Sequence, residues 1–237
     1  MRTVFITGAN RGIGLEFVKQ YVAEGDVVHA CCRRPGGAAE LKALEKANRD
    51  RLFVHALDVT KTEAVQRLAG ALAEKPIDVL INNAGVFGPK AESDKDLRQS
   101  LGHIDEEIVA KVMRINAIAP LVVAQAFTEH VARSSEKKIV AVSSSMGSIA
   151  DGSAGHYAYR MSKAALNMAM ATLGRDLEAR GVSVEVFSPG WVQTDMGGPN
   201  ARETVGDSVR AMRQLIAAKS PVGAARFRLF DGATIPW

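Results

Sequence analysis

Short runs rich in β-branched and aromatic residues alternate along this chain with longer stretches whose apolar positions recur at helical spacing. Residues 4–7, 27–32, 52–57, 79–82, 139–143 and 182–188 read as strands, and 13–23, 38–47, 62–73, 106–133 and 158–179 as helices. Strand and helix in strict alternation predict a parallel sheet with right-handed crossovers and helices on both faces. Pro120 falls inside the long helical stretch and predicts a kink or a division into two helices there. Beyond Ser188 the pattern loosens. Pro189-Gly190 and Gly197-Gly198-Pro199-Asn200 mark a mobile stretch, followed by a helix at about 207–219 and a last strand at 227–230. No internal repeat and no low-complexity tract interrupts the order.

With 237 residues, 47% of them hydrophobic, the chain can bury one substantial core, so residues 1–237 are expected to form a single domain. The formal charge of +4 is spread out, its densest groups being pairs such as Arg33-Arg34 and Lys137-Lys138. With no basic stripe and only 5% aromatic residues, a nucleic-acid surface is not expected. Cys31 and Cys32 are neighbours in a strand and point to opposite faces, as packing thiols do; they offer neither a disulfide framework nor a metal site. His29, His55, His103 and His130 are dispersed without metal-ligand spacing. No apolar run reaches the roughly 18 residues of a membrane span, the apolar run at the N-terminus is too short for a signal peptide, and a cytoplasmic protein is the default expectation.

The first strand runs into Thr7-Gly8-Ala9-Asn10-Arg11-Gly12-Ile13-Gly14, a glycine turn that opens the first helix, where backbone amides and the helix N-terminus favour a pyrophosphate. Its spacing, Gly-x-x-x-Gly-x-Gly, differs from the common Gly-x-Gly-x-x-Gly. An NAD site usually places a carboxylate at the end of the second strand; here Cys32 stands there, followed by Arg33 and Arg34. A guanidinium can grip a phosphate in a fork, and Arg11 adds a second cation inside the turn, so the sequence predicts NADP(H) rather than NAD(H) unless these arginines are ordinary surface charges. Asp58 and Val59, at the end of the third strand, face the adenine in this reading, although Asp58 is equally suited to capping the helix near Thr62. Asn83, Ala84 and Gly85 close the fourth strand, with Ala84 and Gly85 small enough for a flat ring to approach the backbone.

Tyr159 and Lys163 stand four residues apart in a helix, so phenol and ammonium project from one face. A free tyrosine titrates near ~10; a neighbouring lysine cation is expected to favour the phenolate, so that the phenol exchanges a proton near neutral pH. Downstream, Met161, Met168 and Met170 are expected to pack. His156 and Tyr157 either line the mouth of a substrate site or belong to a surface loop.

Taken in order, Thr7-Gly8-x-x-x-Gly12-x-Gly14, Asn82-Asn83-Ala84-Gly85, Asn116, Ser143-Ser144, Tyr159-x-x-x-Lys163, and Pro189-Gly190 followed by Thr194 resemble the short-chain dehydrogenase/reductase superfamily across nearly the whole chain. Ser144 to Ile149, Tyr157 to Asn167 and the ending Asp231-Gly232-x-x-Ile235-Pro236-Trp237 look more narrowly like its C-factor-like subgroup. The resemblance implies a doubly wound parallel sheet of the Rossmann type and hydride transfer between a nicotinamide and a carbonyl or alcohol. It makes Tyr159 the general acid, Lys163 the group that binds the nicotinamide ribose and lowers the tyrosine pKa, Ser144 a hydrogen-bonding partner of the substrate oxygen, and Asn116 the holder of a water leading to Lys163. It places Pro189, Gly190, Val192 and Thr194 beside the nicotinamide, with Gly8, Asn10, Gly12, Ile13 and Gly14 at the phosphates. The family's active serine usually stands where this chain has Met146. Lengthening the loop Asp151-Gly152-Ser153-Ala154-Gly155 by two residues puts Ser144 in register, with Ser145 as its competitor.

Two functions follow: an NADP(H)-dependent oxidoreductase acting on a small carbonyl or secondary alcohol, or a regulatory nucleotide-binding module with little turnover. A dehydratase or epimerase fits less well, for want of a separate substrate domain. Residues at about 191–207 are expected to form a lid, with Trp191, Met196 and Val205 suggesting an apolar pocket. The long helices ending near Arg133 and Ala179 resemble surfaces that pair in this superfamily, which implies a homodimer or homotetramer.

Overall fold

Strand β1 (Thr3–Thr7) shows why the sheet is covered on both sides: Phe5 packs into one core, while Val4 and Ile6 pack into another. The same alternation runs through β2 (Val27–Cys32), β4 (Val79–Asn82), β5 (Lys138–Val142) and β6 (Ser183–Ser188). Cys31 and Cys32, accordingly, are buried in opposite cores. The computed structural model describes residues 1–90 and 95–237. Among these, β3 (Leu52–Ala56) and β7 (Arg226–Leu229) complete a seven-stranded sheet in the order β3-β2-β1-β4-β5-β6-β7, parallel at every pairing.

Helices α1 (Gly12–Ala23), α2 (Ala39–Ala47) and α7 (Val205–Ala217) cover one face, while α3 (Thr62–Ala71), α5 (Ala119–Ala132) and α6 (Tyr157–Asp176) cover the other. The doubly wound α/β expectation holds, with element ends displaced by one to three residues where caps and turns decide them. Strand order reverses between β1 and β4, and a crevice at the carboxyl ends of those strands is where such sheets hold ligands.

The predicted break near Pro120 is resolved in an informative way. Helix α4 (Glu106–Met113) runs into a π turn at Arg114–Ile118 before α5 resumes with Pro120 in its first turn. Proline lacks the amide that would continue the α-helical ladder, and the wider turn absorbs the loss. Asn116 sits inside that turn.

The histidines are less dispersed than their spacing suggests. Register between β2 and β3 brings His29 and His55 together, Nδ1 to Nε2 at 2.9 Å. Burial, then the neighbouring His55, pushes the His29 imidazole down to about 4. The unfolded chain therefore takes up this proton first, near its ordinary ~6.5, so stability is fully present above that pH and is lost as pH falls toward 4. We expect roughly 1–2 kcal/mol to be lost between pH 6.5 and 5, read from urea midpoints, and His29→Gln to remove most of that slope.

Candidate active site

Helix α1, like α2, α3, α5 and α6, begins without a side-chain cap. Its preceding residue, Arg11, makes no side-chain cap, and its first turn carries no acidic residue, whereas α4 and α7 are capped by Asp105 and Thr204. First-turn amides left without a side-chain partner, at the positive end of the helix, suit an anion. The glycines make the approach possible. Gly8 has φ +67°, in the left-handed region, and a Cβ on Gly14 would stand 2.3 Å from the Gly8 carbonyl oxygen, so α1 can leave the loop this tightly only without a side chain there.

The loop is tied to the wall opposite. Asn83 Nδ2 donates to the carbonyls of Thr7 and Gly8 at 3.0 and 3.1 Å, and Thr7 Oγ1 accepts from the amides of Asn83 and Ala84. Across the opening, Arg11 meets Asp195 at 2.6 Å, Lys90 donates to the Met196 carbonyl, and Thr194 Oγ1 accepts from the Gly197 amide.

These walls enclose a cleft of about 1190 Å³, larger than the roughly 300–1,000 Å³ typical of a pocket for one drug-sized molecule. Gly8, Asn10, Arg11, Gly12, Ile13 and Gly14 line it, with Arg33, Asp58 and Val59 at one end, Asn83, Ala84 and Gly85 along its length, and Tyr159, Lys163, Pro189 and Thr194 also in its wall. The volume, the helix N-terminus and the two arginines fit a phosphorylated dinucleotide. Asp58 does not cap α3. Its carboxylate accepts from the amide and hydroxyl of Thr60 at 3.0 and 2.7 Å, and although burial opposes ionisation, these bonds and the nearby Arg33 and Lys61 hold its pKa low. Arg34 is exposed and outside the cleft wall.

Four expected site residues, Asn116, Ser144, Gly190 and Val192, do not line the cleft. Asn116 is buried behind it: Oδ1 accepts from the Val86 amide at 2.9 Å, and Nδ2 donates to the Val86 carbonyl at 2.8 Å and to Ser162 Oγ at 3.0 Å. Its side chain thus holds the loop after β4 in place. Val192 is buried in a bridge to Glu203, and Gly190 packs against Glu203 and Phe230.

The three serines after β5 separate cleanly. Ser143 Oγ donates to Asn167 Oδ1 at 2.6 Å, and the Ser145 amide donates to Ser188 Oγ at 3.0 Å. Ser144 Oγ accepts from the Met146 amide at 3.2 Å and is the one of the three whose side chain acts on the Tyr159 phenol, lowering its pKa, while Ser143 is the one that reaches the cleft wall. Lys163 Nζ donates to the Val142 carbonyl at 2.9 Å and lies 5.7 Å from the centre of the Tyr159 ring.

The electrostatics differ from the expectation that lysine lowers the phenol. Burial pushes Tyr159 up to about 12, with Ser144 pulling in the opposite direction, and burial pushes Lys163 down to about 8. Both groups are enclosed, and the amine is turned onto the Val142 carbonyl, so desolvation of each charged form sets the direction of both shifts.

Two residues escaped the sequence analysis. Phe87 stacks on the Tyr159 ring at 4.4 Å and meets His156 edge-on at 5.0 Å. His156 therefore packs beside the tyrosine. Gln99, 1% exposed, accepts from the Tyr159 amide. Phe87 could have been suspected from its place just after Asn-Asn-Ala-Gly; Gln99 has no local signature. Conversely, Trp191 is 52% exposed with its indole N–H on the Gly197 carbonyl, and Val205 lines a separate hollow beside α1, so only Met196 of the expected apolar pocket faces the cleft. Of the three methionines expected to pack, Met170 does so, while Met161 and Met168 are exposed, because they lie on the face of α6 turned away from the sheet. Among the described residues no cluster of three metal-ligating side chains occurs, and no helix is long and apolar enough to cross a membrane.

Comparison with known proteins agrees with this geometry. Residues 2–204 match the family model described as short chain dehydrogenase. The C-signal protein of Myxococcus xanthus is 44% identical over 165 residues, covering 68% of this chain and 93% of that protein. An NADPH-bound carbonyl reductase from chicken fatty liver superposes with a TM-score of 0.89 at 32% identity, covering 100% of this chain and 94% of the other. A short-chain dehydrogenase/reductase from Burkholderia multivorans with bound NADP gives the same TM-score at 31% identity, with both chains fully covered. The chain belongs to the short-chain dehydrogenase/reductase family, as an oxidoreductase-type member with a C-signal relative.

Proposed function

We propose that this protein is an NADP(H)-dependent reductase of small carbonyl compounds, with the corresponding secondary alcohols as products. The observation that carries this reading is the burial of Tyr159 and Lys163 side by side in a cleft that also holds a side-chain-uncapped helix N-terminus and two arginines. NADPH, when bound, supplies the hydride. Arg11 and Arg33 would hold the 2′-phosphate, Asp58 and Val59 would border the adenine, and the start of α1 would take the pyrophosphate.

Tyr159 would give its phenolic proton to the carbonyl oxygen as that oxygen gains charge, and Ser144 would hydrogen-bond the same atom. A phenol held near 12 is protonated at neutral pH, the state a proton donor needs, and although a weaker acid than a free tyrosine it is still a stronger one than the alcohol it would produce. Lys163 would hold the nicotinamide ribose and restore the proton. Asn116 would act by fixing the loop at Val86, whose neighbour Gly85 lies against Lys163. The segment after Gly190, already held by Arg11 and Lys90, would serve as the lid.

Exposed Ile118, Leu121, Met161 and Met168 form apolar positions on the π turn, α5 and α6 that support pairing with a second copy. A nucleotide-binding module without turnover would have no use for a buried phenol beside a serine and a lysine. The test is an NADPH-consumption screen of purified protein against aldehydes, ketones and quinones: turnover of at least one class is expected, and tight NADPH binding with no oxidation across the panel would favour the module.

A further inference from the structure

Gln99 is the most fully engaged side chain near the phenol that the mechanism leaves without a task. It is 1% exposed. Its Oε1 accepts from the amide of Tyr159 at 3.2 Å, and its backbone carbonyl accepts from the amide of Tyr157 at 3.1 Å. Its Nε2 donates to the carbonyls of Phe87, at 3.3 Å, and Pro89. One residue thus grips both the start of α6 and the loop that follows β4.

Each grip answers a local need. The residue before α6, His156, is in the left-handed region at φ +53° and supplies no side-chain cap. The first amides of the helix therefore need an outside acceptor, which Gln99 provides twice. On the other side, Gly88 has φ +86°, and a Cβ there would stand 3.2 Å from Val112 and 3.4 Å from Gln99 Nε2, so the loop is pressed onto this amide. The Phe87 carbonyl held by Gln99 belongs to the residue whose ring stacks on Tyr159 at 4.4 Å and 29°.

We propose that Gln99 is a positioning residue for the proton donor: it clamps the backbone of Tyr159 and the Phe87 ring that covers it, and so fixes the direction of the phenol. The proposal rests on the reading of Tyr159 as the acid. Gln99 does not line the cofactor cleft, so its influence should reach proton transfer and not coenzyme affinity.

The test uses the full chain with NADPH and three carbonyl probes: benzaldehyde, cyclohexanone and menadione. Gln99→Met keeps the volume but removes both hydrogen-bonding ends. We expect kcat to fall about tenfold, the order produced by a small misplacement of a reacting group, with KM for NADPH unchanged. Gln99→Glu keeps the acceptor toward Tyr159 and should recover part of the rate. In a Tyr159→Phe background, Gln99→Met should have no further effect, whereas a purely structural role would slow both backgrounds alike. Phe87→Leu should reproduce the loss and not add to it. Tyrosine labelled at Cζ with carbon-13 gives a readout that needs no turnover; with the Tyr159 signal assigned from Tyr159→Phe, that signal should move in Gln99→Met. An unmoved signal with wild-type kcat would overturn the proposal. Full activity of Tyr159→Phe would instead overturn the reading beneath it.

Discussion

Tyr159→Phe should reduce carbonyl turnover by about 10²–10⁴-fold, the range that a positioned general acid contributes, while NADPH affinity stays within about threefold of wild type. The variant keeps the ring that stacks on Phe87 and loses only the hydroxyl that Ser144 faces, so folding should be little affected. Stopped-flow oxidation of NADPH with a reducible carbonyl, together with fluorescence titration of the coenzyme, separates the two effects. A variant retaining more than about a tenth of the rate would remove the phenol from the chemistry.

The second large effect concerns the coenzyme's phosphate. Arg11 and Arg33 line the cleft, where NADPH, unlike NADH, brings a dianion to be neutralised. A hydrogen bond to a charged group is worth about 1.5–3 kcal/mol, and both arginines are exposed, so the lower end applies. The Arg11→Ala/Arg33→Ala pair should weaken NADPH by about 100-fold and NADH by little, abolishing the preference between them. Arg33 should account for more of the loss, since Arg11 must first leave Asp195, its partner at 2.6 Å. Calorimetric titration of both coenzymes measures the ratio directly, and an unchanged ratio would contradict the assignment.

What the chain disclosed in advance was whatever is written locally. The glycine turn, the Asn-Asn-Ala-Gly corner and the Tyr-x-x-x-Lys spacing are short-range patterns, and the alternation of strand and helix pointed to a parallel sheet covered on both faces around them, though not to its strand order. Burial is not local. The pKa of Tyr159 is raised by burial, and part of its cover is Phe87, stacked on the ring by a loop 72 residues earlier in the chain. Spacing alone therefore suggested a lowered phenol where enclosure raises it. The pairing of His29 with His55 depended on strand register; Asn116 was legible as a site residue but not its grip on the Val86 backbone, and Gln99, which acts on the backbone of other segments, is announced by no motif. The same distinction explains why Trp191 and Val205 suggested a pocket they do not line: apolar character was legible, but direction was not.

The central claim is that the Tyr159 phenol and the reduced nicotinamide meet in one cleft with room for a carbonyl between them. A crystal structure of the protein with NADP⁺ tests it most directly. The phenolic oxygen is predicted to face the C4 edge of the nicotinamide across a space the size of a small carbonyl, with Ser144 beside it. A coenzyme bound with its nicotinamide elsewhere, or a phenol turned into bulk water, would contradict it.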